Sequence, residues 1–65
     1  MMVRYFIYDH RVRKKLSLRE LEKLSGVSKS QTNAIENGKN HPSVYTLCLL
    51  AKTSKVDASL LFCVE

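Results

Sequence analysis

Between Leu16 and Gly38 the chain reads LSLRELEKLSGVSKSQTNAIENG, and the spacing of its small polar residues leaves room for little besides two short helices joined by a tight turn. Ser17 and Glu20 have the spacing of a capping box, in which the hydroxyl takes the backbone N–H three residues on and the carboxylate returns to the serine's own N–H. Leu16 and Leu21 flank the box at the positions where a hydrophobic staple sets the angle at which the chain enters a helix. The first helix of the pair therefore starts at Ser17, with Leu21 and Leu24 as its buried face. Ser25-Gly26-Val27 interrupts the pattern. Ser28 followed by Gln31 then repeats the box eleven residues after the first, so a second helix starts there. It runs to Asn37-Gly38, where glycine can take the left-handed conformation that ends a helix without steric cost.

Sixty-five residues make one small domain, which buries only about 60% of the surface its unfolded chain exposes. One Pro and two Gly argue against a disordered or low-complexity tail, so residues 1–65 are expected to fold together. No apolar run approaches the roughly 18 residues that span a bilayer, and Met1-Met2-Val3-Arg4 lacks the apolar centre of a signal peptide. The expected location is the cytoplasm, with no membrane contact. Cys48 and Cys63 each sit in an apolar segment with no second Cys or His at metal-ligand spacing, which favours buried, reduced thiols over a disulfide or a metal site.

Eleven Lys and Arg against six Asp and Glu give a formal charge of +5. That excess points to a polyanionic partner, nucleic acid ahead of an acidic membrane surface. Arg11, Arg13, Lys14 and Lys15 crowd together at the end of a helix expected over Ile7 to Lys14, with Tyr8 and Val12 one turn apart on it. Cations there also oppose the negative end of the helix dipole, so the cluster reads equally as a solvated helix end or as a phosphate clamp.

Met1 to Phe6 is apolar and aromatic enough for a short strand or an extended arm. After Gly38, Lys39-Asn40-His41-Pro42 reads as a loop, and Ser43 offers a cap for the next helix. On that helix Val44, Leu47, Cys48, Leu50 and Ala51 recur at three and four residue spacing, the mark of a core-facing stripe. A last helix is expected from Asp57, carrying Leu60, Leu61 and Phe62, and the apolar end of the chain either caps the core or meets another subunit. Without a period-two run long enough for a sheet, the simplest reading is an all-α, compact five-helix bundle.

Leu16-Ser17, Glu20-Leu21, Leu24, Gly26-Val27-Ser28, Ile35-Glu36-Asn37-Gly38-Lys39, Pro42-Ser43, Leu47, Leu50-Ala51, Val56 and Leu60 to Phe62 together form a pattern. Through it, from about Ile7 to Phe62, the chain resembles the phage Cro and repressor-like (XRE-type) helix-turn-helix family, whose fold is a lambda repressor-like DNA-binding domain. The resemblance implies that the helix from Ser28 to about Asn37 is a recognition helix in the major groove and that the helix from Ser17 to Ser25 crosses the DNA backbone. It places Lys29, Ser30 and Asn33 toward the groove, with Gln31 and Ala34 at the margins. Lys29 has the chemistry to donate to guanine O6 and N7, Asn33 and Gln31 to pair with adenine N6 and N7, and Ser30 to meet a base or a phosphate. Judged alone, such residues are simply an exposed polar helix face. Ser28 is a cap that, at a helix N-terminus, can also meet phosphate. Asn37, Gly38 and Lys39 match the family loop that grips the sugar-phosphate chain, with Asn37 and Lys39 as positioning contacts. Arg11 and Glu36 match positions that form a structural ion pair.

Four departures from the family pattern stand out. Leu18 replaces a Gln that bonds phosphate, leaving Arg19 as the substitute contact. Glu22 replaces a small residue where the two helices cross. Thr32 replaces an apolar residue, so a buried hydroxyl there would need to bond back to the carbonyl four residues earlier. Lys15 and Lys55 replace Gly, so each turn must strain a non-Gly residue or change geometry, and Lys15 gains reach toward a phosphate.

The expected function is sequence-specific binding of double-stranded DNA by a transcriptional regulator. A homodimer would place two recognition helices about 34 Å apart on a pseudo-palindromic operator. Tyr5, Phe6, Tyr8, Leu60, Leu61, Phe62 and Val64 are the candidate interface. The departures at Leu18 and Glu22 motivate an alternative, an antitoxin-like or adaptor module that binds a protein partner and DNA only weakly. Isolated His10 and His41, and the lack of a nucleophile set or a Gly-rich phosphate loop, predict no catalytic residue, no metal and no cofactor.

Overall fold

The computed structural model describes residues 1–65. Four α-helices, α1 (Ile7–Arg13), α2 (Leu18–Ser25), α3 (Lys29–Glu36) and α4 (Val44–Ser54), are framed by two strands, β1 (Val3–Tyr5) and β2 (Phe62–Val64). A single 3₁₀ turn, Ala58–Leu61, leads into β2. The radius of gyration is 10.5 Å, close to the roughly 10.7 Å of a fully compacted chain of this length.

Three of the four α-helices start at side-chain caps, and α1 begins without one. Ser17 closes both halves of its box, accepting the Glu20 N–H at 3.1 Å while its own N–H donates to Glu20 Oε1 at 2.9 Å. Ser28 accepts the Gln31 N–H at 3.1 Å but receives no bond back from the Gln31 side chain, so the second box is a simple cap. Ser43 caps α4 through the Thr46 N–H at 3.1 Å.

The helix ends share one device. Lys15, Gly26, Gly38 and Lys55 all have positive φ, at 58°, 81°, 73° and 58°. After α1, α3 and α4 the next two N–H groups fold back onto helix carbonyls, as in Lys15 to Val12 and Leu16 to Arg11 at 2.9 and 3.0 Å. This is the Schellman arrangement, which uses carbonyls a helix end would otherwise leave unpaired. Two of the four positions carry lysine, so the geometry glycine favours is kept and the strain is accepted.

Eight residues form the core: Ile7, Leu21, Val27, Ile35, Leu47, Leu50, Ala51 and Leu61. Leu24, expected inside, is 64% exposed, because α2 turns Leu21 and Ser25 inward instead. Val44 and Cys48 also face out. The stripe on α4 is narrower than its sequence suggests and consists of Leu47, Leu50, Ala51 and Ser54. Cys63 is half-buried, so neither thiol is the core residue expected.

The all-α, five-helix expectation is corrected at the C-terminus. Asp57 does act as a cap, but its carboxylate accepts the Ser59 N–H two residues on, which makes a tight turn and not a helix start. The turn drops Leu61 into the core. Phe62 then takes extended backbone, φ −152° and ψ 160°, and β2 pairs antiparallel with β1 in the register Val3↔Val64, Arg4↔Cys63, Tyr5↔Phe62. Alternation puts Val3, Tyr5, Phe62 and Val64 on one face, where Tyr5 and Phe62 pack against the core. Within Met1–Phe6, Val3–Tyr5 is thus a paired strand and not a free arm.

Candidate nucleic-acid interface

Helix α3 is held from beneath. Thr32 and Ile35 are each 1% exposed, and Val27 in the preceding turn fills the core between α2 and α3. Buried residues three apart fix the rotation of the helix about its axis. The opposite stripe, Lys29, Ser30, Asn33 and Asn37, is exposed. Gln31 and Ala34 are half-buried at its margins.

The end of α3 is tied to α1 by a bidentate ion pair. Arg11 Nε donates to Glu36 Oε2 at 2.8 Å and Arg11 Nη2 to Glu36 Oε1 at 3.1 Å. The two side chains are only 13% and 6% exposed. Arg11 Nη1 also donates to the Leu16 carbonyl at 2.8 Å, so one guanidinium joins α1, the turn before α2 and the C-terminus of α3. The bond to Glu36 raises the Arg11 pKa further, so the group stays charged. Its guanidinium carbon lies 5.3 Å from the Tyr8 ring centre, a distance for cation–π attraction. With five N–H donors in a fixed fork, arginine suits this three-way joint and lysine does not.

Ser28, Lys15, Arg19 and Lys39 are exposed. Arg19 stands in the first turn of α2, while Lys15 leads into that helix with its backbone in the left-handed region. Leu18 is half-buried and Glu22 is exposed, so the Glu22 carboxylate sits in water. Glu20, by contrast, is engaged, and the Ser17 N–H holds its pKa below the ordinary value.

Three features alter the picture drawn from the sequence. First, the backbone N–H groups of Asn37, Gly38 and Lys39 donate to the carbonyls of Asn33, Ile35 and Ala34 at 3.0, 3.1 and 2.8 Å. The main chain of that loop is therefore spent on capping α3 and has no donors there for phosphate. Second, the buried Thr32 hydroxyl has no hydrogen-bond partner, so the back-bond to the Ser28 carbonyl is not made. Third, Asn37 Nδ2 donates to Asn33 Oδ1 at 3.3 Å. Asparagines four apart on one helix could have signalled that last contact.

The candidate subunit interface is also redrawn. Leu61 is fully buried and unavailable to a partner. Phe6 is half-buried beside α1. Tyr5 packs on the core, and its hydroxyl shares a hydrogen bond with His41 Nδ1 at 2.9 Å. Tyr8, Leu60 and Val64 remain exposed, joined by Val44 and Tyr45. His10 Nε2 donates to the Leu60 carbonyl at 3.3 Å, tying α1 to the 3₁₀ turn. No helix is long and apolar enough to cross a membrane, and no group of three His, Cys, Asp or Glu could hold a metal ion.

Comparison with known proteins agrees with this geometry. A family model described as helix-turn-helix matches residues 7–61, which spans α1 through the 3₁₀ turn. Among solved structures, the chain is similar to the restriction-modification controller protein C.AhdI from Aeromonas hydrophila. The TM-score is 0.78 and the identity 26%, over 82% of this chain and 80% of that one. No curated protein matches by sequence. With α2 and α3 capped, packed together and presenting a polar stripe, the chain belongs to the Cro/repressor-like (XRE-type) helix-turn-helix family of DNA-binding transcriptional regulators.

Proposed function

We propose that this regulator reads double-stranded DNA sequence-specifically, with α3 in the major groove. The observation that carries this is the exposed stripe of Lys29, Ser30 and Asn33 on a helix whose rotation is fixed by Thr32 and Ile35 below and by Arg11 at its end. Side chains that must find donor and acceptor atoms on base edges need such a rigid platform. Gln31 stands at the edge of the contact. Lys15, Arg19, Lys39 and the α3 N-terminus at Ser28 supply phosphate contacts, which position the protein without specifying sequence. We further propose that it acts in the cytoplasm and without catalysis, metal or cofactor.

A lone domain with one reading helix covers few base pairs, so we place a second copy beside it on a pseudo-palindromic operator. Exposed Val44, Tyr45, Leu60 and Val64 favour that contact, since apolar side chains of this size gain by leaving water. An antitoxin-like or adaptor role keeps the same fold and predicts weak DNA binding without preference. The two are separated by fluorescence anisotropy with the DNA upstream of this protein's own gene against random duplex of equal length, from about 50 to 200 mM salt. A regulator retains a preference of about a thousandfold or more. Equal, salt-collapsing affinity for both would remove sequence-specific reading.

A further inference from the structure

The bond between Asn37 and Asn33 bears on how a base would be chosen. Both residues belong to the exposed stripe of α3, and Asn37 Nδ2 donates to Asn33 Oδ1 at 3.3 Å. The loop that starts at Asn37 is a poor phosphate cradle. Its three N–H groups are turned into α3, and the carbonyl end of a helix carries partial negative charge.

A carboxamide oxygen has two lone pairs and its NH₂ two hydrogens. Asn37 occupies one lone pair of Asn33 Oδ1. The second lone pair and both N–H remain, and these are what the N6–H and N7 of an adenine require. The pair can close in either sense, because the Asn37 amide has no other hydrogen-bond partner and can turn together with that of Asn33. The bond therefore fixes where the Asn33 amide lies and not which end it presents. In either sense that amide sets one donor beside one acceptor, which matches adenine N6–H and N7 but not the two acceptors O6 and N7 of guanine.

We propose that Asn37 is a positioning residue for base reading, which sharpens the choice of adenine over guanine by Asn33 by holding its carboxamide in place. This rests on Asn33 being a base reader. The test uses the full chain and a randomised duplex library, sequenced before and after retention by wild type, Asn33→Ala, Asn37→Ala and the double variant, with helix content followed by circular dichroism. Asn33→Ala is expected to erase the preference at one base pair. Asn37→Ala should lower the adenine-over-guanine ratio at that same pair about three- to tenfold, the worth of one hydrogen bond. It should leave the salt slope unchanged and have no further effect once Asn33 is alanine. If Asn37→Ala weakens all sequences equally and lowers the salt slope by about one, Asn37 is a phosphate contact and the proposal is wrong. If Asn33→Ala leaves the ratio intact, the base-reading role of Asn33 fails with it.

Discussion

Replacing Thr32 by valine should make this protein more stable. Thr32 is 1% exposed and its hydroxyl has no hydrogen-bond partner, although the Thr32 N–H donates normally to the Ser28 carbonyl at 3.0 Å. Burying an unpaired hydroxyl costs about 1–3 kcal/mol. Valine has the same shape, a similar helix propensity and a methyl group that gains about 0.8 kcal/mol on burial. Allowing for partial relaxation around the native hydroxyl, Thr32→Val is expected to stabilise by about 1–2 kcal/mol, which for a domain of this size raises the melting temperature by roughly 4–16 °C. Urea unfolding followed by circular dichroism is the assay, with the gain read from the midpoint at constant slope. Thr32→Ser provides the control: it keeps the hydroxyl, deletes the methyl and should cost about 1 kcal/mol. A Thr32→Val protein no more stable than wild type would mean that the hydroxyl is satisfied and that no penalty is stored at this site.

The two left-handed lysines separate strain from contact. Lys55→Gly should stabilise the fold by about 0.5–1 kcal/mol, the relief of left-handed strain less the entropy glycine adds to the unfolded chain, with DNA affinity unchanged; Lys15→Gly should stabilise similarly but weaken DNA binding, as titration on the two variants would reveal. Arg11→Ala or Glu36→Ala should each cost about 3 kcal/mol, because the partner left behind is a largely buried charge. Replacing both by methionine should recover part of that loss in the same denaturation assay. Lys29→Ala should cost about 1–3 kcal/mol on the best duplex and relax one base pair, whereas Lys39→Ala should weaken all duplexes alike and lower the salt slope by about one. The Glu20 carboxylate has a folded pKa below its ordinary 4.5, so its contribution is complete above that value and is lost as pH falls through the lower folded value. The melting temperatures of wild type and Glu20→Gln should therefore differ at neutral pH and converge in acid.

What could be read from the chain alone was local. A cap is a contact between residues two or three apart, so Ser17, Ser28 and Ser43 announce their helices whatever surrounds them, and Gly26 and Gly38 mark the turns because few other residues relax there. The stripe on α3 was legible for the same reason, since polar residues at helical spacing share a face wherever the helix goes. The Arg11–Glu36 pair came from resemblance to a family, because residues twenty-five apart carry no mutual signal in one sequence. Tertiary structure decided the rest. Strands of three residues are too short to display a period of two, and β1 meets β2 only because the fold brings residues near both ends of the chain together. That pairing, with Leu61 anchored in the core, converts an expected helix after Asp57 into one tight turn and a strand. Whether Leu24, Val44 and Cys48 face in or out depended on where neighbouring helices stop. The unpaired hydroxyl of Thr32 and the bond from Asn37 to Asn33 depended on side-chain directions that spacing permits but does not impose.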